Sequence, residues 1–264
     1  MNFRKVAVVD FETFPIRTRP DYPPDSVGVA LWVPGKKPCY LAWGHPGGGN
    51  TCTKADGRAA LAEIWDSDLD VLFHSSKFDC CVAEERMNLA PLPWKRVHDT
   101  MPMLFLDNPR APTFSLKPSA ERLLGEPPSE RDAVEDWLME HQPVLGVRLS
   151  KSKKSENYVG AYIAYAPVEL VGPYAIGDVT RTRKLACKLY PDLKRRGMVE
   201  AYDRERRLGP VVREMEERGI RVDLKALKKD VLTYHIALAN LDAWLCKKYF
   251  NFLQSQASKL ARTI

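Results

Sequence analysis

The sequence has no apolar run long enough to cross a bilayer, no Cys-x-x-Cys pair, no internal repeat and no low-complexity tract. Each absence removes a class of function. A membrane-spanning helix needs about 18 or more uninterrupted apolar residues, so no membrane association is expected. No signal peptide is expected either, because the first residues lead straight into a strand. The six cysteines, at 39, 52, 80, 81, 187 and 246, lack the spacing of zinc ligands and of a disulfide framework. Cys80 and Cys81 are expected to pack as small apolar groups in a reducing compartment, the cytoplasm. Residues 44–50 are glycine-rich, but no Gly-Lys-Ser/Thr follows, which argues against a phosphate-binding P-loop. A flexible turn is expected there, with His45 in solvent. What remains is a chain of 264 residues, 45% apolar, enough for one large domain or a domain plus part of another.

What is present centres on Val6-Ala7-Val8-Val9-Asp10-Phe11-Glu12-Thr13. β-Branched and small apolar residues in a row read as a buried central strand. That strand ends on two carboxylates. Side chains two apart on a strand share a face, so Asp10 and Glu12 project together, while Phe11 points the other way. Like charges held that close repel, and their burial is costly unless something positive sits between them. A divalent cation such as Mg²⁺ or Mn²⁺ suits hard oxygen ligands. A strand end running out into a solvated loop would account for the same pair.

Further groups of the same kind recur along the chain. Residues 70–74 read as a short buried strand, followed by Ser75-Ser76-Lys77-Phe78-Asp79 and a helix over 80–88. Asp79 therefore falls at a helix start just past a strand end, where sheet proteins hold ligands and where a simple helix cap is also common. Tyr174 and Asp178, four apart, share one helix face. Between these lie a hairpin of strands 27–33 and 39–43, a helix over 56–65 capped by Asp56, a strand end at 97–100, and helices over 100–107, 115–124 and 129–141. Residues 142–158 read as a loop whose basic tract, 150–155, suits either solvent or nucleic acid. Four prolines among residues 15–24 make a stiff surface loop, whose Arg17 and Arg19 could meet a phosphate or water.

Taken together, Asp10-x-Glu12, Asp79 and Tyr174-x-x-x-Asp178 resemble the proofreading 3′–5′ exonucleases that use four carboxylates and a tyrosine, the DEDDy group. Residues 202–208 and 214–223 are similar to the segment joining exonuclease to thumb in bacterial and bacteriophage family A DNA polymerases, and 250–260 to the stretch leading to the thumb tip. The resemblance implies an α/β, ribonuclease-H-like exonuclease fold, with a mixed central sheet flanked by helices, followed by an all-helical C-terminal segment. It implies an exonuclease domain over 1–194 and a linker with the beginning of the thumb over 195–264. Palm motifs are absent from this sequence, so no polymerisation is expected from it.

The resemblance further implies two divalent ions, about 4 Å apart, acting on a phosphodiester. Asp10 would bridge them, Glu12 and Asp178 would complete the nucleophile-side site, Asp79 would hold the second ion, and Tyr174 would orient the attacking water. Phe14, Arg17, Ser75 and Lys77 are the candidate nucleic-acid contacts. The family usually carries asparagine where this chain has Ser75, and the shorter serine bears on substrate affinity. Expected partners are single-stranded DNA or frayed DNA 3′ ends and a separate polymerase chain, in the host cytoplasm if the source is viral. An exoribonuclease of the same fold and a non-catalytic DNA-binding or polymerase-assembly subunit are the alternatives. Charge agrees with a polyanionic partner: residues 1–180 balance to −4 and 181–264 to +10, within a net +6. Composition alone supports basic solvated helices equally well.

Overall fold

The computed structural model describes residues 1–127, 129–152 and 154–261. Strands β1 (Val6–Thr13), β2 (Ser26–Trp32), β3 (Cys39–Ala42), β4 (Asp70–Phe73) and β5 (Val97–Asp99) form one sheet in the order β3-β2-β1-β4-β5. β2 runs antiparallel to both β1 and β3, whereas β4 and β5 run parallel to β1 and to each other. The helices are α1 (Lys54–Trp65), α2 (Ser76–Glu85), α3 (Thr100–Asp107), α4 (Leu116–Leu124), α5 (Ser129–Leu145), α6 (Val168–Arg195), α7 (Val199–Arg218) and α8 (Leu224–Ala261), with a 3₁₀ helix at Val159–Tyr165. This is the mixed sheet with flanking helices and a helical C-terminal part that the sequence leads one to expect.

Alternation along β1 divides the core. Val6 and Val8 face a cluster that includes Met103, Leu116, Val171, Ala175 and Val179 from α3, α4 and α6. Ala7, Val9 and Phe11 face Leu61, Ile64, Val82 and Ala83 from α1 and α2. Burying each of the Val, Leu, Ile, Met and Phe side chains stabilises by roughly 1.5–3 kcal/mol. Asp10 and Glu12 continue the register of Val6 and Val8, so they emerge on the α6 face. On α6 the buried positions, among them 171, 174, 175, 178, 179, 181, 182, 185, 186, 189 and 193, recur at helical spacing, and Tyr174, Asp178 and Arg181 belong to this inward stripe.

Several local expectations change. Asp56 is not the cap of α1. Thr53 is, and Asp56 closes a capping box by accepting from the Thr53 amide. Ser76, not Cys80, opens α2, which places Asp79 inside the first turns of the helix. His45 is 3% exposed rather than in solvent. Its Nδ1–H donates to the Ala164 carbonyl and its Nε2 accepts from the Tyr40 hydroxyl. The glycine-rich turn docks on the approach to α6: a Cβ on Gly47 would stand 2.7 Å from the Tyr165 carbonyl oxygen, so only glycine lets the two backbones approach. In the basic tract, Lys151 pairs with Asp136 of the acidic α5, and Lys153 lies outside the described residues.

The chain divides into compact units Met1–Glu214 and Met215–Ile264. The first reaches beyond residue 194 because the start of α7 completes the sheet edge. Tyr202 is fully buried; its hydroxyl accepts from the Asp99 amide and donates to the Asp99 carbonyl, occupying the free edge of β5. Arg206 adds donors to the carbonyls of Val97, Trp94 and Lys95. In the second unit, α8 carries Leu238, Leu241, Trp244 and Leu245, each about half exposed, and Asp223 caps it through the Lys225 and Ala226 amides. Arg262, Thr263 and Ile264 lie outside the described residues. Tyr202→Phe leaves the Asp99 backbone pair without its hydroxyl partner, so chemical denaturation should show a loss of about 1–3 kcal/mol. An unchanged midpoint would mean that water replaces the hydroxyl without cost.

Candidate active site

The site forms where β1 outruns its neighbour. β4 pairs with β1 only along Val6, Ala7 and Val8. Beyond that point the β1 backbone on the β4 side needs other partners, and Asp79 supplies one: its Oδ1 accepts the Phe11 amide at 3.0 Å. The opening lies at the carboxyl ends of parallel strands, on the border between the parallel and antiparallel parts of the sheet. Asp10, Glu12, Phe14, Ile16, His74, Phe78, Asp79, Gly160, Ile163, Tyr174 and Asp178 are among its walls, around about 340 Å³.

Asp10, Glu12 and Asp178 each offer a carboxylate oxygen within 4.8 Å of the others. Asp79 lines the same opening but lies outside that triad, held by β1. Burial is the main cause that pushes all three of Asp10, Glu12 and Asp79 upward from ordinary carboxylate pKa values, Asp10 to about 7. Mutual repulsion adds to it: Asp178 acts on Asp10, Asp10 and Asp178 on Glu12, and Asp10 on Asp79. Burial also raises Tyr174 well above the usual phenol, followed by repulsion from Asp178, Glu12 and Asp10. Its hydroxyl therefore keeps its proton, which suits orienting a water and not abstracting a proton.

Two cations that the sequence reading passed over hold Asp178. Lys117 Nζ meets its Oδ2 at 2.5 Å, and Arg181 Nη1 lies 3.3 Å from its Oδ1. Lys117 also stands 3.7 Å from the centroid of the Tyr174 ring. Arg181 carried a legible signal, since it lies three residues beyond Asp178 on the same inward helical stripe. Lys117 carried none beyond the need for a positive group near buried carboxylates.

The candidate substrate contacts separate. Phe14 lines the opening and packs edge-on against Tyr165 at 5.5 Å. Ile16, which the sequence reading did not single out, stands 62% exposed on the same rim. Phe11 packs in the opposite core while also bordering the opening. Arg17 is exposed on the proline-rich loop, and Ser75 and Lys77 are half-buried without lining the opening. Ser75 adopts φ 73°, a left-handed conformation that asparagine tolerates better than serine.

The raised carboxyl pKa values set a pH dependence. A carboxyl whose pKa is higher folded than unfolded binds extra protons in the folded state. Its stabilisation is complete below the unfolded value and is lost as pH rises through the folded one, for Asp10 between 3.8 and about 7. In EDTA, Asp10→Asn should melt with wild type near pH ~4 and several degrees above it near pH ~8. Equal melting at both pH values would rule out the raised Asp10 pKa.

No family model and no curated protein matches the sequence. Solved structures do match its fold. NrnC of Brucella melitensis bound to pGG aligns at 18% identity over 83% of this chain and 89% of that one, with a TM-score of 0.52. The same protein with bound Mg²⁺ aligns at 18% identity over 81% and 86%, with a TM-score of 0.50. Escherichia coli RNase D, described as an exoribonuclease involved in structured RNA processing, aligns at 19% identity over 81% of this chain and 46% of its own, with a TM-score of 0.50. At these identities the likeness is one of fold, and the fold is the ribonuclease-H-like exonuclease fold.

Proposed function

We propose that this chain is a metal-dependent 3′–5′ exonuclease that hydrolyses the terminal phosphodiester of a nucleic acid strand, with single-stranded or frayed DNA 3′ ends as its substrate. The observation that carries the reading is the triad of Asp10, Glu12 and Asp178, with oxygens within 4.8 Å of one another on a sheet end that Tyr174 overlooks. The exonuclease-type fold supports it, as does the order of Asp10, Glu12, Asp79, Tyr174 and Asp178 along the chain. We assign residues 1–194 to the exonuclease and 195–264 to a linker and the beginning of a thumb, working beside a separate polymerase chain.

The residues present fit divalent ions. Every donor of the triad is a hard oxygen, and its buried repulsion is of the kind a cation relieves. Asp10, Glu12 and Asp178 would hold one ion, with Asp10 and Asp79 holding a second, and Mg²⁺ or Mn²⁺ suits both positions. Bound there, the ions would supply an activated water and a stabilised leaving oxygen for in-line displacement. The protein's own groups do the rest. Tyr174 keeps its hydroxyl proton and orients the water. Phe14 and Ile16 offer the terminal base an apolar wall. Ser75, Lys77 and Arg17 are assigned to the strand behind it.

RNA is the second reading, favoured by the likeness to RNase D. Oligonucleotides of one sequence, as DNA and as RNA, labelled at the 5′ end and incubated with Mg²⁺, Mn²⁺ or EDTA, separate the two. A ladder shortening from the 3′ end, faster on DNA and absent in EDTA, is expected. A faster ladder on RNA would make it an exoribonuclease. Intact strands with salt-sensitive binding would make it a non-catalytic DNA-binding subunit.

Asp10→Ala and Asp178→Asn should abolish the ladder while both variants stay folded. Tyr174→Phe should slow it by roughly 10²-fold. Turnover by Asp10→Ala equal to wild type would sink the assignment, and an unchanged Tyr174→Phe would leave that residue a packing role only.

A further inference from the structure

We propose that Lys117 is the cleft's own counter-ion and competes with the divalent cation for Asp178, thereby setting how much metal the protein needs to load its site. The proposal rests on the nuclease reading above, and its test separates the failure of one from the failure of the other.

A lysine head is a compact, strongly hydrated charge, seldom buried unless paired. Here the Lys117 side chain is 11% exposed and that of Asp178 8%. The backbone places it there. Lys117 lies in the first turn of α4, between Leu116, which packs in the core, and the buried Ser119 and Ala120. Its ammonium has two contacts in the cleft, both with groups assigned to the reaction: Oδ2 of Asp178 and the face of Tyr174.

This arrangement has a consequence for metal. A cation ligated by Asp178 must share or take the oxygen that Lys117 holds, and two positive groups on one buried carboxylate repel. Arg181 already engages the other oxygen. Lys117 is the partner with space beside it. It borders a second cavity of about 190 Å³, formed with Ser115, Pro118, Glu135 and Tyr158, which shares Tyr174 and Ile163 with the cleft. The four-carbon stem can withdraw toward that space and its Glu135 carboxylate, keeping the ammonium beside Tyr174. Lys117 thus stabilises the triad while the metal is away and opposes the metal's arrival.

The two roles open to this lysine predict opposite signs. If it competes, Lys117→Met should bind Mn²⁺ more tightly; if it merely positions Asp178 for the ion, Lys117→Met should bind more weakly. Calorimetric titration of the full chain with Mn²⁺ alone, without nucleic acid, decides between them. We expect Lys117→Met to bind Mn²⁺ roughly tenfold more tightly, within the usual range for coupling between two ligands. Lys117→Arg, which keeps the charge, should stay near wild type. In EDTA the melting temperature of Lys117→Met should fall below wild type, and saturating Mn²⁺ should close that gap. If Lys117→Met does not fold, Lys117→Gln carries the same titration. Unchanged or weaker Mn²⁺ binding by the neutral variant would overturn the proposal. Failure of wild type and variants alike to bind Mn²⁺ would overturn the metal-dependent reading beneath it.

Discussion

Repulsion among buried carboxylates is the constraint on which this structure turns. Asp10, Glu12 and Asp178 come from two elements far apart in sequence, so the unfolded chain keeps them apart and hydrated. Folding gathers them, and burial then opposes the charged forms of Asp10 and Glu12. The structure answers with cations from elsewhere in the chain: Lys117 from α4 and Arg181 from one turn further along α6. It also answers with backbone, since the Phe11 amide donates to Asp79. None of these offsets the loss of water together with the repulsion, and Asp10, Glu12 and Asp79 all stay shifted upward, burial first and neighbouring carboxylates second. The remaining excess of negative charge is of the kind that a divalent ion would relieve.

The scaffold around this cleft is strongly specified because its error would be costly. A one-residue slip of β1 would turn Asp10 and Glu12 into the α1–α2 core and expose Val9 and Phe11. The antiparallel pairing with β2 fixes the register, with Asp10 opposite Ala30 and Glu12 opposite Gly28. Gly28 is part of the same device. A Cβ there would stand 2.2 Å from the Tyr40 hydroxyl oxygen, the group that holds His45 and through it the approach to α6. The glycine-rich turn therefore works as a packing surface for the helix that delivers Tyr174 and Asp178.

The parts of this arrangement legible in the sequence are those that depend on period or on order. Alternation along residues 6–13 placed Asp10 and Glu12 on one face and Phe11 on the other. The four-residue step from Tyr174 to Asp178 placed both on one helical face. What the sequence did not disclose depends on tertiary approach. His45 looks like a turn residue until Ala164 meets its ring. Asp56 looks like a cap until Thr53 takes the role. Lys117 looks like one more surface lysine in the first turn of a helix, and only the position of α6 across from it brings Asp178 within reach. The resemblance implies an exonuclease domain ending at 194. The compact unit runs to Glu214, with Tyr202 on the sheet edge.

That sheet edge connects the start of α7 to the cleft through continuous hydrogen bonds. Tyr202 holds the backbone of Asp99 on both sides. The Asp99 carboxylate in turn accepts from the amides of Ser75 and Ser76, at the start of α2, and from Met101, at the start of α3. A negative charge at two helix N-termini is favourable to both, because the first amides of each helix lack partners within it. It also fixes the left-handed turn at Ser75, which a serine would otherwise leave at some cost in backbone strain. With that turn fixed, α2 presents Asp79 to the Phe11 amide, and the end of β1 is held where Asp10 and Glu12 can meet Asp178. Each link is a neutral or singly charged contact of ordinary length. Their effect comes from being in series: the conformation of the carboxylate end of β1 depends on a tyrosine hydroxyl at the far edge of the sheet. A region of α7 that reads in sequence as a charged connector is thereby part of the apparatus that sets the geometry of the cleft.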